Sequence, residues 1–322
     1  MPPITRRALL AGLGAAALGG CAVRHAALPA DTAAGTVTPS PEAVPDVTVN
    51  TATGPVVVPG APMRVVTLGT AELDSALTLG ITPVGAALAP LDSGFPDYWP
   101  LSRLSGITRV GSIGSPDLDA VRALRPDLVL SNQSGDGGRY DQLRGIAPTV
   151  LTQTTGAPWK ANFQVHTQAL SRQEAAAAFV ASYQRHVSQV VQALSGARAS
   201  GRKVGLVRFV EGGGIRLYGR QNFPGTVLAD VQLGRPDAQN VDQSDFEIPV
   251  DQLAKADGDL LVYATYGNPA GAAAVLATPA WQSLGAVRAH RAFEVDDQLW
   301  FQGNGYTAAN YVLAELQRFL GA

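Results

Sequence analysis

The residues able to do chemistry in this chain are few, and their types favour holding a ligand over transforming one. The four histidines, His25, His166, His186 and His290, fall in no zinc-ligand spacing. No Gly-x-Ser-x-Gly elbow and no Gly-x-Gly-x-x-Gly phosphate loop occurs. The glycine triplet at 212–214 lacks a following Lys-Ser/Thr and reads as a tight loop. A different pattern surrounds that loop, in "VRFVEGGGIRLYGR". Arg208 sits mid-run in an apolar strand, where an unpaired charge is costly. Arg216 and Tyr218 alternate around Leu217 and share one strand face, which suits a cleft wall or an exposed edge. The single cysteine, Cys21, closes the run "ALGGC" ahead of any segment that could form a core. Its chemistry would be acylation, the alternative being an ordinary signal peptide with an incidental cysteine. Paired arginines at 6 and 7, an uncharged small-residue run and Leu18-Gly19-Gly20-Cys21 together form an export signal ending in a bacterial lipobox. The Arg6-Arg7 pair followed by Ala-Leu-Leu resembles a twin-arginine signal.

These groups need a scaffold, and the rest of the chain supplies one. Removing residues 1–20 takes two arginines and no acid, so the formal charge moves from −2 to −4. A mildly acidic chain carries no basic excess for nucleic acid. Residues 22–46 are rich in Ala, Pro, Thr and Asp without apolar period, a tether. Two short β-rich runs around Thr-Gly-Pro follow, then an apolar strand at 64–68. "TAELDSALTLGI" predicts a helix capped by Thr70, and "SPDLDAVRALRPDLVLSNQ" repeats the helix-then-strand scheme. Helix and strand alternate, which predicts an α/β fold with parallel sheets. Residues 171–194 differ: strong helix formers run without Gly or Pro behind a Ser171/Glu174 capping box. Such a helix would be about 36 Å long. A second set of strands and helices follows it. The expected layout is a signal at 1–20, a lipid-anchored tether at 21–46, an α/β lobe at 47–170, an interlobe helix at 171–197 and a second lobe at 198–322.

Several stretches resemble bacterial iron-siderophore ABC-transporter substrate-binding proteins. They are "GPVVVPGAPMRVVTLGTAELDSALTLGITPVGA", "SPDLDAVRALRPDLVLSNQ", "YDQLRGIAPTV", "FPGTVLADVQLGRP", "IPVDQLAKADGDLLVY" and "LWFQGNGYTAANYVLAEL", in the family's order. The resemblance implies two Rossmann-like lobes bridged by a rigid helix, with the ligand between them and limited closure on binding. The ferric ion would arrive saturated by its chelator, so the protein needs no metal ligands and no cofactor of its own. It needs aromatic walls and Arg or Tyr donors. In the first lobe the candidates are Tyr98 and Trp99 of "FPDYWP", with Arg139 and Tyr140 of "GDGGRYDQ". The second lobe offers Arg208, Arg216, Tyr218 and Arg220, then Tyr266, and finally Trp300, Gln302 and Asn304 of "LWFQGNG".

In the family, a glutamate at the "TAEL" position docks an arginine of the membrane permease, which assigns that role to Glu72; Asp230 is the weaker counterpart in the second lobe. The partners implied are a ferric siderophore, a permease with its ATPase and the membrane, with the binding protein a monomer. Aromatics with a few arginines suit hydroxamate or mixed chelators better than catecholates. A second reading keeps the scaffold and changes the cargo to cobalamin or haem, with Tyr218 or Tyr266 as axial donor. A lipid-anchored hydrolase lacks a catalytic constellation, and a non-transporting receptor would keep the cleft without a ligand response.

Overall fold

The structure is a computed structural model that describes residues 44–212 and 214–321. Cys21 and residues 1–43, which hold the expected signal and most of the expected tether, lie outside the described residues. The chain opens with an antiparallel hairpin, β1 (Val47–Thr51) and β2 (Gly54–Val58). Gly54 takes φ +98 to close the turn, a conformation glycine adopts without steric cost.

The first lobe is built on a six-stranded sheet. Its strands are β3 (Val65–Thr67), β4 (Gly85–Leu88), β5 (Thr108–Ser112), β6 (Ser115–Pro116), β7 (Leu128–Asn132) and β8 (Thr149–Thr152), in the order β6-β5-β4-β3-β7-β8. All neighbours are parallel except β5 and β6. β3, β4, β7 and β8 are buried along their whole length because helices cover both faces, which is why they read as apolar runs without alternation.

The second lobe holds β9 (Val204–Val210), β10 (Ile215–Tyr218), β11 (Asp245–Ile248), β12 (Leu260–Tyr266) and β13 (Ala292–Glu294), in the order β11-β10-β9-β12-β13. β9, β12 and β13 are parallel, whereas β10 pairs antiparallel with both β9 and β11. The short connection between β9 and β10 decides this. Parallel neighbours need a crossover of roughly a dozen residues, and the glycine-rich loop there is far shorter. The second lobe is therefore α/β with a mixed sheet.

A helix of 24 residues, Gln173–Gly196, joins the lobes. It buries Ala176, Tyr183, Val190 and Leu194, while Phe179 stays exposed. The expected capping box is absent. Ser171 adopts φ +51 in the turn from the preceding helix, Trp159–Ala169, and its hydroxyl caps nothing. Thr70 likewise heads the first helix, Thr70–Thr78, without capping it, since Gly69 holds the N-cap position.

The C-terminal helix, Tyr306–Leu320, bridges the lobes: besides helix Phe223–Asp230 of the second it packs on the long helix and on helix Thr70–Thr78 of the first. Asp74 meets its first turn, accepting the amides of Thr307 and Ala308 as well as the hydroxyls of Thr78 and Tyr98. A carboxylate at a helix N-terminus satisfies orphan amides and complements the dipole. At the junction, Tyr306 packs edge-on against Trp159 (4.8 Å), Phe163 (4.7 Å) and Tyr183 (5.3 Å), and Phe223 of the second lobe completes the cluster at 5.6 Å from Trp159. One apolar core thus runs through both lobes and the linker, which opposes wide hinge motion.

Candidate ligand-binding site

Between the lobes lies a cavity of ≈ 450 Å³. Loop 154–158, following β8, forms its first-lobe wall. Across from it stand Arg208 of β9, Arg216 and Tyr218 of β10, and Phe301 and Asn304 from the segment before the C-terminal helix. The placement follows from side-chain alternation. Arg208 and Arg216 are direct cross-strand partners, and Tyr218 lies two residues along on the same face. Like charges directly opposed destabilise a strand pair unless each is answered. Both are answered here. The Arg208 guanidinium forms a bidentate pair with Asp297, with both distances 2.6 Å. Arg216 reaches Glu247 at 3.1 Å and Asp245 at 3.4 Å.

Aromatic faces complete the wall. The Arg208 guanidinium lies 4.3 Å from the Tyr266 ring centre, and Tyr218 packs on Phe301 at 4.7 Å. Burial alone pushes the Arg208 pKa down, but its hydrogen bonds to Asp297 and Tyr218 and its attraction to both together outweigh that and leave it above the ordinary arginine value. Burial raises the Tyr218 phenol, more than the adjacent Arg208 lowers it, so the hydroxyl keeps its proton at neutral pH and can donate.

Several contacts tie the lobes together around this cavity. Asn304 accepts the Gly156 amide at 3.1 Å and donates to Thr70 at 3.3 Å, from a backbone at φ +151 that non-glycine residues rarely adopt. The loop after β4 reaches across: the Tyr266 hydroxyl accepts the Leu91 amide at 3.1 Å, and Asp92 accepts from Gln298 (2.8 Å) and Gln302 (3.3 Å). A second cavity, ≈ 490 Å³, opens on that side. A further cavity of ≈ 460 Å³ lies near the end of β9 and is lined by second-lobe residues alone, so no cleft converges there.

Of the residues nominated from sequence, Arg208, Arg216, Tyr218 and Asn304 line the first cavity, Tyr266 lines the second, and Gln302 braces Asp92 and Asp297 between them. Others fall elsewhere. Trp300 is not a cleft wall: it is fully buried, stacks near Phe319 and donates to Glu315 at 2.6 Å. Its one-turn helix, Asp297–Trp300, points the indole away from the cleft and into the core. Trp99 is likewise core, packed with Leu73, Leu77 and Leu104. Tyr98 donates to Asp74 and packs near Tyr311. Arg139 pairs with Asp136 at 3.2 Å, Tyr140 lies beside Arg144, and exposed Arg220 pairs with Asp242 at 2.9 Å; none of the three lines either interlobe cavity.

Of the two docking carboxylates, Glu72 is closed to a partner, and Asp230 is partly buried in an ion pair. Helix Thr70–Thr78 is covered on every side, so Glu72 is 0% exposed, 3.4 Å from Asn132 and 3.9 Å from His166. Burial raises the Glu72 pKa to about 7 and lowers that of His166 to about 3. Asp230 is held by Lys160 (2.6 Å) and the Tyr183 hydroxyl (2.6 Å), tying the second lobe to the linker.

Sequence reasoning missed Thr154, Phe301, Asp245 and Asp297. A signal existed for the first: 154–158 is a Thr/Gly/Pro turn after an apolar strand, and loops at the carboxyl ends of parallel strands face the crevice. The acids gave none, because Asp245 meets Arg216 through strand pairing and Asp297 meets Arg208 from a helix, both remote in sequence.

Residues 65–299 match the periplasmic binding protein family. The chain belongs to that family. It is 30% identical over 275 residues to the probable siderophore-binding lipoprotein YfiY of Bacillus subtilis, covering 81% of this chain and 83% of the relative. It is 25% identical over 280 residues to the putative ABC transporter substrate-binding lipoprotein YhfQ of the same organism, covering 82% and 85%. In fold it is similar to Staphylococcus aureus SirA solved with staphyloferrin B, at TM-score 0.76 and 23% identity, over 85% of this chain and 98% of that one.

Proposed function

We propose that this family member captures a ferric siderophore in the interlobe cleft and hands it to an ABC importer, held to the outer face of the cell membrane by a lipid on Cys21. One observation carries the reading: donors and aromatic faces from β9, β10 and the 301–304 segment converge with loop 154–158 on one cavity between the lobes. The names of YfiY and YhfQ support the cargo class and the importer. A chelated ferric ion presents oxygens to Tyr218 and Arg216 and apolar flank to Phe301, and no bond is made or broken in the process.

Calorimetric titration of the purified protein with ferric siderophores, cobalamin and haem tests the reading. Micromolar or tighter binding of a ferric siderophore is expected. Saturable binding of haem or cobalamin alone would replace it. The anchor has its own test: Cys21→Ser should move the protein from the membrane fraction to the soluble one, and continued membrane retention would remove the lipid from the proposal.

A further inference from the structure

We infer that the cleft selects ferric complexes of zero or positive net charge, the tris-hydroxamate class, over anionic catecholate and citrate chelates. This rests on the ferric-siderophore reading above and adds a choice of cargo to it. The reason is the charge count of the two cavity-wall arginines and the acids that pair with them, of which Asp245 lines the same cavity, Asp297 lines the second and Glu247 stands beside Arg216. Arg208 and Arg216 supply two positive charges, and Asp297, Asp245 and Glu247, each within 3.4 Å of one of them, supply three negative ones. The arginines nominated outside the cavity are likewise answered, Arg139 by Asp136 and Arg220 by Asp242.

Arg208 has little left to offer a chelate's charge. Asp297 takes two edges of its guanidinium, the Tyr218 hydroxyl lies 3.4 Å from a third position, and the Tyr266 ring covers a face. The second cavity reinforces the sign. Asp92, Glu211, Glu294, Asp296 and Asp297 line it, and its lining holds no lysine or arginine. Asp92 is bound by the neutral amides of Gln298 and Gln302, which leave its charge in place. Walls of one sign around a low-dielectric cleft focus a field of that sign over the mouth.

Three hydroxamates neutralise a ferric ion, whereas three catecholates leave the complex at −3. The first meets donors from Tyr218 and Arg216 without a Coulombic penalty. The second meets a cluster of paired charges that sums to −1. At separations of about 8 Å in a water-like medium, that repulsion corresponds to roughly a tenfold loss of affinity.

The test is calorimetry on the purified protein with four probes: ferrichrome (neutral), ferrioxamine B (cationic), ferric enterobactin (trianionic) and ferric citrate (anionic). The two hydroxamates should bind at least about tenfold tighter than either anion, with the gap narrowing as salt screens the repulsion. Glu247→Gln should strengthen binding of the enterobactin complex severalfold while moving ferrichrome by less than about threefold. Equal or tighter binding of an anionic probe overturns the selection alone. Failure of all four to bind overturns the siderophore reading and the selection with it. A Glu247→Gln variant that weakens every probe equally shows that acid to be structural and overturns the charge argument.

Discussion

Replacing Asp297 by alanine should cost far more than a surface acid would. The carboxylate accepts Arg208 twice at 2.6 Å and Gln302 at 2.8 Å, and both members of the ion pair are about nine-tenths buried, at 10% and 9% side-chain exposure. Removing it leaves a buried guanidinium with the Tyr266 ring and a 3.4 Å contact to Tyr218. Breaking a buried pair from one side costs about 3–5 kcal/mol. Arg208 stands at a cavity wall, where water can reach part of it, which places the expected loss near the lower end, about 3 kcal/mol. At about 2–4 °C per kcal/mol for a chain of this size, the melting temperature should fall by about 6–12 °C. Arg208→Met should cost a similar amount, because it strands the carboxylate instead. The double variant, Arg208→Met with Asp297→Ala, should cost clearly less than the two singles together, since no buried charge remains. Urea denaturation of the four proteins, followed by circular dichroism, closes the cycle. A single-variant loss under about 1 kcal/mol, or a double that equals the sum of its singles, would refute the view of this pair as a buried, mutually dependent unit.

Three other outcomes follow from the same structure. Trp300→Ala should destabilise the free protein by about 3–5 kcal/mol while leaving the affinity of the folded fraction within about twofold; a large affinity loss without a lower melting temperature would return the indole to the cleft. Glu72 holds its proton up to about pH 7 when folded and to about 4.5 at its ordinary value, so its contribution is full below 4.5 and is lost as pH rises to 7. Glu72→Gln should therefore be more stable than the parent by about 3 kcal/mol at pH 8, with the gain vanishing near pH 4; denaturation midpoints across that range check it, and a gain that grows toward acid would contradict the sign. Gly305→Ala should loosen the C-terminal helix from the first lobe, because the added carbon would meet Asp74 at 1.8 Å; hydrogen exchange at the Thr307 and Ala308 amides should rise by tenfold or more, roughly 1.4 kcal/mol, and unchanged exchange would mean that Asp74 moves aside freely.

Local pattern was enough for much of the architecture. Apolar runs marked β3, β7 and β9, and an uninterrupted stretch of helix formers marked the linker, since strand burial and helix propensity act over a few residues. Tyr218 and the two arginines were legible because alternation along β10 and a charge within an apolar strand are local signals. The identity of the core tryptophans was not. Trp99 and Trp300 each follow a strand and precede a helix, as a ligand-stacking aromatic would, and only the packing of Leu73, Leu104 and Phe319 around them shows that they face inward.

By itself, then, the sequence determined the two α/β lobes, the helix between them and the strand face that bears Arg208, Arg216 and Tyr218, because each depends on neighbours close along the chain. Only the tertiary structure decided what those residues meet. Asp297 reaches Arg208 across 89 positions of sequence, and Asn304 reaches Thr70 across 234. It also sealed Glu72 beside Asn132 and His166. Whether a charge is open or spent depends on which distant segment packs against it, and no local pattern carries that information.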